Sequence, residues 1–307
     1  ITQPSLLTST VNFVDSVDCY AGSDGSAQVQ GLGGTQGYTY LWSNGQTGST
    51  LQNVTAGTYT CTITDANGCQ TIQATPSVTI YEPDSLIAFI VYIDSVDCFG
   101  GNDGSAQVQA DGGTTVYSYS WSNGQNTSTL QNVTAGTYTC TITDANGCQV
   151  SIDVTINQPD LLISSTIYED SVSCYGLSDG SAQVQGLDGT PGYTYLWSNG
   201  QTGSTLQNVT AGTYTCTITD ANGCFTQQGI SVHEPDELIA NLSSINISCN
   251  GLSDGSASVS VTGGNGINTY IWSPIGSGNG SSASGLALGS YSCTVVDQYG
   301  CSDVSNT

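Results

Sequence analysis

Apolar and polar residues alternate along short runs of this chain. Ser26-Ala27-Gln28-Val29-Gln30, Tyr38-Thr39-Tyr40-Leu41-Trp42 and Tyr59-Thr60-Cys61-Thr62-Ile63-Thr64 each send every second side chain to one face. A period of two marks half-buried strands, because successive side chains leave opposite faces of a pleated sheet. Gly-rich or Asn-Gly turns separate the runs about every 8 to 12 residues, and no segment has a helical period. The pattern predicts antiparallel sheets packed as sandwiches. Tyr59, two residues before Cys61, has the spacing of a tyrosine corner, and Trp42 is placed as the central core aromatic.

The whole pattern returns four times. The segment SVDCYAGSDGSAQVQ recurs as SVDCFGGNDGSAQVQ, SVSCYGLSDGSAQVQ and NISCNGLSDGSASVS. Each copy then passes a tryptophan (Trp42, Trp121, Trp197, Trp272) to GTYTCTITDANGC, which becomes GSYSCTVVDQYGC in the last. Pro83, Pro159 and Pro235 interrupt strand ladders at the boundaries. The chain reads as all-β: four tandem immunoglobulin-like antiparallel β-sandwich repeats over 1–82, 83–158, 159–234 and 235–307. Copies of about 76 residues are large enough for a core each, unlike solenoid repeats. Ile1-Thr2-Gln3-Pro4 matches Ile80-Tyr81-Glu82-Pro83, so repeat 1 opens with the end of a preceding last strand. Repeat 4 stops at Thr307 with its last strand incomplete. The two ends together nearly complete one strand. This predicts head-to-tail polymerisation of copies, covalently or by strand donation; the alternative is an arbitrary boundary within a longer array.

Charge narrows the function. The 307 residues include 24 Asp and Glu and no Lys or Arg, a formal net charge of -24. Nucleic-acid backbones and anionic membranes find no basic footprint here. Phosphoryl chemistry lacks its lysine and arginine clamps. One histidine, His233, excludes His-based triads and multi-His metal sites. Twelve cysteines and no methionine point to an oxidising, extracellular setting. No stretch reaches the ~18 to 20 apolar residues that span a bilayer. With no initiator Met or signal peptide, the sequence reads as a mature or internal segment. No catalytic constellation survives, and the expectation is a protein that is not an enzyme.

The string C-[YF]-x-G-x-[SN]-D-G-S-A, then Y-x-W-S-N-G, then N-V-T-A-G-T-Y-T-C-T-I-T-D-A-N-G-C resembles the SprB-type repeat. That family occurs in very large bacterial cell-surface proteins, including the adhesin of gliding bacteria. The resemblance covers all four copies and implies a secreted, multi-repeat surface protein with immunoglobulin-like modules. The family pattern has two cysteines per copy, one at each end. Here a third stands where the pattern has a branched apolar residue: Cys61, Cys140, Cys216 and Cys293.

Three cysteines per copy cannot all pair within it, and the turn register points Cys61 away from Cys69. The expected bridges are Cys19–Cys69, Cys98–Cys148, Cys174–Cys224 and Cys249–Cys301. Each would close a loop of about 50 residues, worth roughly 4 kcal/mol in the chain-entropy model. Cys61, Cys140, Cys216 and Cys293 are then buried free thiols. The competing pairing is Cys19–Cys61.

Two acids recur in every copy: Asp24, Asp103, Asp179 and Asp254 in Asp-Gly-Ser, and Asp65, Asp144, Asp220 and Asp297 before Gly-Cys. Turn chemistry is the plainer reading, since Asx side chains accept local backbone N–H groups. The functional alternative is calcium, with Asp18 and Asp97 as further ligands that Ser173 and Ser248 replace in later copies. No cofactor is otherwise required. The sequons at Asn53, Asn132 and Asn208 coincide with a turn, and Asn126, Asn241, Asn246 and Asn279 open others. The bacterial setting of the family instead implies O-glycans on Asp-Ser-apolar triplets, at Ser16, Ser85, Ser95 and Ser171. The array reads as an extracellular surface fibre or adhesin stalk whose partners are other copies of itself. A multivalent surface-glycan binder is the first alternative, with Tyr20, Phe99 and Tyr175 as its aromatics. The spacer of a secreted enzyme is the second.

Overall fold

In repeat 1 the alternating runs form six strands: β1 (Thr8–Asp15), β2 (Gly25–Leu32), β3 (Thr39–Trp42), β4 (Thr50–Val54), β5 (Gly57–Thr64) and β6 (Ser77–Ile80). They make two three-stranded antiparallel sheets, β1-β2-β4 and β3-β5-β6. Both orders recur in each of the other three repeats. The computed structural model describes residues 3–71, 76–278 and 280–306, and no helix occurs among them. The chain divides into two compact units, Ile1–Gln158 and Pro159–Thr307, each holding two repeats.

The period of two becomes a sandwich because one face of each strand is buried. Ala27 and Val29 of β2 share a core with Cys61 and Ile63 of β5, Trp42 of β3 and Leu51 of β4. Each repeat has its own such core. Trp42 is 2% exposed, and its Nε1–H donates to the Gly48 carbonyl at 3.0 Å. The tryptophans of the other repeats do the same, so they are core anchors with a satisfied polar end and no surface platform. Tyr59 closes a tyrosine corner, its hydroxyl donating to the Thr55 carbonyl at 2.9 Å. Tyr138, Tyr214 and Tyr291 repeat that bond to the carbonyls of Thr134, Thr210 and Ala287. With the two sheet orders, these features make each repeat immunoglobulin-like.

Strand direction then decides where the ends of a repeat lie. The chain enters beside Gly34, whose N–H donates to Ser5 O, and Thr35 N–H reaches the Asp65 carboxylate. The Asp65–Cys69 turn therefore sits at the entry pole. The loop between β1 and β2 sits at the exit pole, where Val17 N–H donates to Tyr81 O just after β6. Eight-residue strands hold the two poles roughly 25 Å apart. The matched tail Ile1-Thr2 and the terminal Thr307 lie outside the described residues. The last strand of repeat 4 runs Ser302–Asn306 and pairs over its whole length.

Candidate functional site

The pole geometry overturns the expected disulfides. Cys19 lies in the exit-pole loop and Cys69 in the entry-pole turn, far beyond the ~4.4–6.8 Å Cα separation a bridge allows. Cys19 instead bonds Cys148 of repeat 2, at a Cα separation of 5.7 Å. Cys174 of repeat 3 likewise bonds Cys301 of repeat 4, at 5.6 Å. The pairings Cys19–Cys69, Cys98–Cys148, Cys174–Cys224 and Cys249–Cys301 are thus all incorrect, as is Cys19–Cys61. Cys98 and Cys224 are disulfide-bonded as well. Cys69 and Cys249, expected in bridges, are exposed free thiols. Cys61, Cys140, Cys216 and Cys293 are free and buried, and burial pushes the Cys61 thiol up to about 11. A thiol so protonated is a poor nucleophile and serves as a small core residue.

The bridge is the centre of a built joint. In the first unit, Asn146 Nδ2 donates to the Asp18 carbonyl at 3.0 Å, and Cys148 Sγ lies 3.4 Å from the same oxygen. In the second, Cys301 Sγ lies 3.3 Å from the Ser173 carbonyl, and Cys174 packs against the core of repeat 4. The segment leaving each of the first three repeats is fastened to the equivalent loop of that repeat. Glu82 accepts from Ala21 N–H at 2.7 Å, Gln158 from Gly100 N–H and Glu234 from Gly176 N–H. A loop fixed on one side by a disulfide and on the other by the linker's own side chain leaves little freedom of bend. Sequence reasoning missed this clamp, although its signal was present: a carboxylate or amide stands before each boundary proline.

The turn that presents Cys148 is ordered by Asp144, which is 5% exposed. Its Oδ1 accepts from Asn146 N–H at 3.0 Å and Cys148 N–H at 2.9 Å, and its Oδ2 accepts from Thr114 N–H at 2.9 Å. Gly113, at φ 59°, allows that approach, since a Cβ there would lie 2.6 Å from Oδ2. Asp65, Asp220 and Asp297 accept the equivalent sets. At Asp65 the Thr35 N–H leads the groups holding the carboxyl below its ordinary value. At Asp144 and Asp297 burial opposes ionisation, but the backbone donors outweigh it and the carboxyls again sit low.

A carboxyl depressed in the fold contributes stability that is fully present above its unfolded value, near 3.8, and lost as pH falls through the folded one. Thermal melts are therefore expected to change little from pH 7 down to about 4 on account of these turns and to fall steeply below it.

The second set of acids lies at the exit pole. Asp24 accepts from Asp18 N–H at 3.2 Å, and Asp103 from Asp97 N–H at 3.2 Å. Asp24 beside Asp18 raises the Asp18 carboxyl, and Asp103 does the same to Asp97. In repeats 3 and 4 the residue facing the acid is Ser173 or Ser248, whose hydroxyl and N–H both donate to Asp179 or Asp254. The carboxyls of Asp179 and Asp254 drop accordingly. Replacing Asp18 with serine copies that arrangement and removes a like-charge pair, so Asp18→Ser is expected to raise the melting temperature of repeat 1, read by calorimetry at pH 7. Among the described residues no three His, Cys, Asp or Glu side chains converge as a metal site. Asn53, Asn132 and Asn208 lie not in a turn but within β4 and its equivalents, at left-handed φ of 51°, 53° and 53°, where the strand's register against its neighbour shifts, a conformation asparagine tolerates. Asn279 lies outside the described residues. Ser16, Ser85, Ser95 and Ser171 are exposed, and Tyr20, Phe99 and Tyr175 are about half exposed in the loops that follow the exit-pole cysteines.

Comparison with known proteins places these repeats. The SprB repeat family model matches four times, at residues 11–47, 92–126, 170–202 and 241–277. Each match opens in the first strand of a repeat and extends past its tryptophan. No curated protein matches the sequence. Among solved structures, the eight N-terminal Ig domains of Down Syndrome Cell Adhesion Molecule align at 14% identity and a TM-score of 0.32, over 99% of this chain and 54% of that one. The chain thus spans about half the length of that structure. Invasin, a bacterial integrin-binding protein, aligns at 11% identity and a TM-score of 0.31, over 98% of this chain and 78% of that one. Sidekick-1 immunoglobulin domains 1–5 align at 12% identity and a TM-score of 0.29, over 97% of this chain and 76% of that one.

Proposed function

We propose that this array of four SprB repeats is a segment of an extracellular bacterial surface fibre or adhesin stalk, whose task is to hold a chain of domains in fixed succession and project it from the cell. The observation that carries the reading is the joint. A disulfide and a side-chain bond from Asn146 act between one repeat and the next, and Glu82, at the end of repeat 1, fastens the departing segment to the loop that carries the bridge. A disulfide persists where the setting is oxidising, which fits secretion. The role is mechanical, and its natural extension is head-to-tail assembly of copies. The four exposed serines of the Asp-Ser-apolar triplets stand near the joints, where O-glycans would shield the linkers from proteases. Calcium has a weaker claim, since the turn carboxylates already accept backbone donors.

The test is to label the producing cells with antibody against the whole chain and image them by electron microscopy. Label along surface filaments supports the reading, and label confined to the cytoplasm overturns it. A second reading, multivalent binding of surface glycans, draws on the exposure of Tyr20, Phe99 and Tyr175. Tyr175, however, lines the joint beside Glu237, Leu238 and Cys301, which favours a structural role for that loop. Glycan-array binding abolished by Tyr20→Ala and Phe99→Ala together would restore the second reading.

A further inference from the structure

We infer that Cys249 and Cys69 are the two halves of one more joint, a disulfide between repeat 4 of one copy of this chain and repeat 1 of a second copy. This deepens the surface-array reading and rests on it. The rule visible within each unit is directional: the exit-pole cysteine of one repeat bonds the entry-pole cysteine of the next, as in Cys19–Cys148 and Cys174–Cys301. Cys249 is an exit-pole cysteine and Cys69 an entry-pole cysteine, and both are exposed thiols.

Each half is already shaped for its partner. The loop of Cys249 has the turn of its bonded counterpart: Leu252 N–H donates to Cys249 O at 3.2 Å, as Leu177 N–H does to Cys174 O at 3.1 Å. Ser248 is held by Asp254 as Ser173 is by Asp179. At the other end, Asp65 orders the Cys69 turn with the same three backbone donors that Asp144 and Asp297 use in the bonded turns. Beside Cys69 lies an open groove of about 480 Å³, lined by Pro4, Leu6, Leu7, Asp65 and Gln70. Its counterpart in repeat 4 is the surface at Glu237, Leu238 and Cys301, and there Tyr175 and Leu177 of the preceding repeat line the same depression. Leu6 is 82% exposed at the open seat. The occupant that fits is therefore the Cys249–Leu252 loop of another copy.

Bond formation removes one proton and one electron from each thiol. The electrons pass to a low-molecular-weight disulfide oxidant, which leaves as two thiols, through a mixed disulfide that the second thiolate resolves. One thiol cannot serve both directions, so each copy links to one copy on either side and the product is unbranched.

The whole chain, with its intrachain bridges intact, is incubated with oxidised glutathione and run without reductant. The wild type is expected to give a ladder of covalent multimers that collapses on reduction. Cys69→Ser alone and Cys249→Ser alone are each expected to remain monomeric. Mixed in equal amounts they are expected to give a dimer and nothing larger. Both positions are exposed, so the substitutions leave the cores untouched, and alkylating the two thiols of the native wild type provides a variant-free arm that should abolish the ladder. Dimers from Cys69→Ser alone would overturn the pairing, as would a wild type that stays monomeric with both thiols titratable or closes Cys69 to Cys249 within one chain. A ladder insensitive to reductant, or multimers of Cys69→Ser by light scattering, would overturn the disulfide while leaving the surface-array reading standing. Cytoplasmic label in the imaging test would overturn that reading separately.

Discussion

Replacing Cys19 with serine is expected to destabilise repeats 1 and 2 together. The bridge anchors Cys148, near the end of repeat 2, to a loop at the exit pole of repeat 1, where Val17 is bonded to Tyr81. When repeat 2 alone unfolds, the bridge still ties Cys148 to the point where that repeat begins. The closed loop is then roughly 65 residues, and its lost entropy in the unfolded state amounts to about 4 kcal/mol in the chain-entropy model. For a domain this small, that corresponds to a fall in melting temperature on the order of 15–30 °C. Unfolding of repeat 1 alone leaves a loop of similar size, roughly 64 residues, because the bridge holds Cys19 at the pole where the chain enters repeat 2. Differential scanning calorimetry of the whole chain should therefore show the transitions of repeats 1 and 2 moving down sharply while those of repeats 3 and 4, bridged by Cys174–Cys301, hold. The freed Cys148 should also become reactive towards thiol reagents. A shift confined to one of the two repeats, or none, would contradict this account. The same substitution releases the joint, so small-angle scattering should report a broader spread of distances without loss of β-sheet circular dichroism.

The second large effect belongs to Asp144. Asp144→Ala leaves the N–H groups of Asn146, Cys148 and Thr114 without their acceptor, in a turn where Asp144 is buried but Asn146 is exposed and Cys148 and Thr114 are half-buried. An unsatisfied buried donor costs about 1–3 kcal/mol, and water can reach part of this turn, so the expected loss is on the order of 1–3 kcal/mol for repeat 2. Because the turn also presents Cys148, reoxidation of the Cys19–Cys148 bridge after reduction should slow, measured by trapping free thiols at intervals. Asp144→Asn keeps one carbonyl acceptor and should fall between the two. Its melting temperature should also respond less to acid, since the group that titrates is gone. An alanine variant that melts like the wild type would remove the turn from the account of stability.

Much of this was legible along the chain. Alternation placed β2, β3 and β5, the Tyr59–Cys61 spacing marked the corner, and four tryptophans at equal positions identified the cores. The turn reading of Asp65 and Asp144 also followed from local chemistry, because an Asx side chain reaches donors only a few residues away. Edge strand β1 was less legible: Phe13 and Val14 are exposed, so its apolar residues do not report an inward face.

The cysteines divide at the same line. Their number, their recurrence in four copies and the burial of Cys61 could be inferred from composition and strand period, since these depend on neighbours within one strand or turn. Their partners could not. A pairing depends on which residues share a pole of the sandwich, and that is settled only when β5 runs from exit to entry and carries Cys69 a full strand length from Cys19. Antiparallel sheets put the two cysteines of one repeat at opposite ends, and succession of repeats brings the ends of neighbours together. Sequence by itself determined the modules and their number. The tertiary structure decided that the disulfides join one module to the next, because a bond needs two atoms a few ångströms apart and only folding sets that distance.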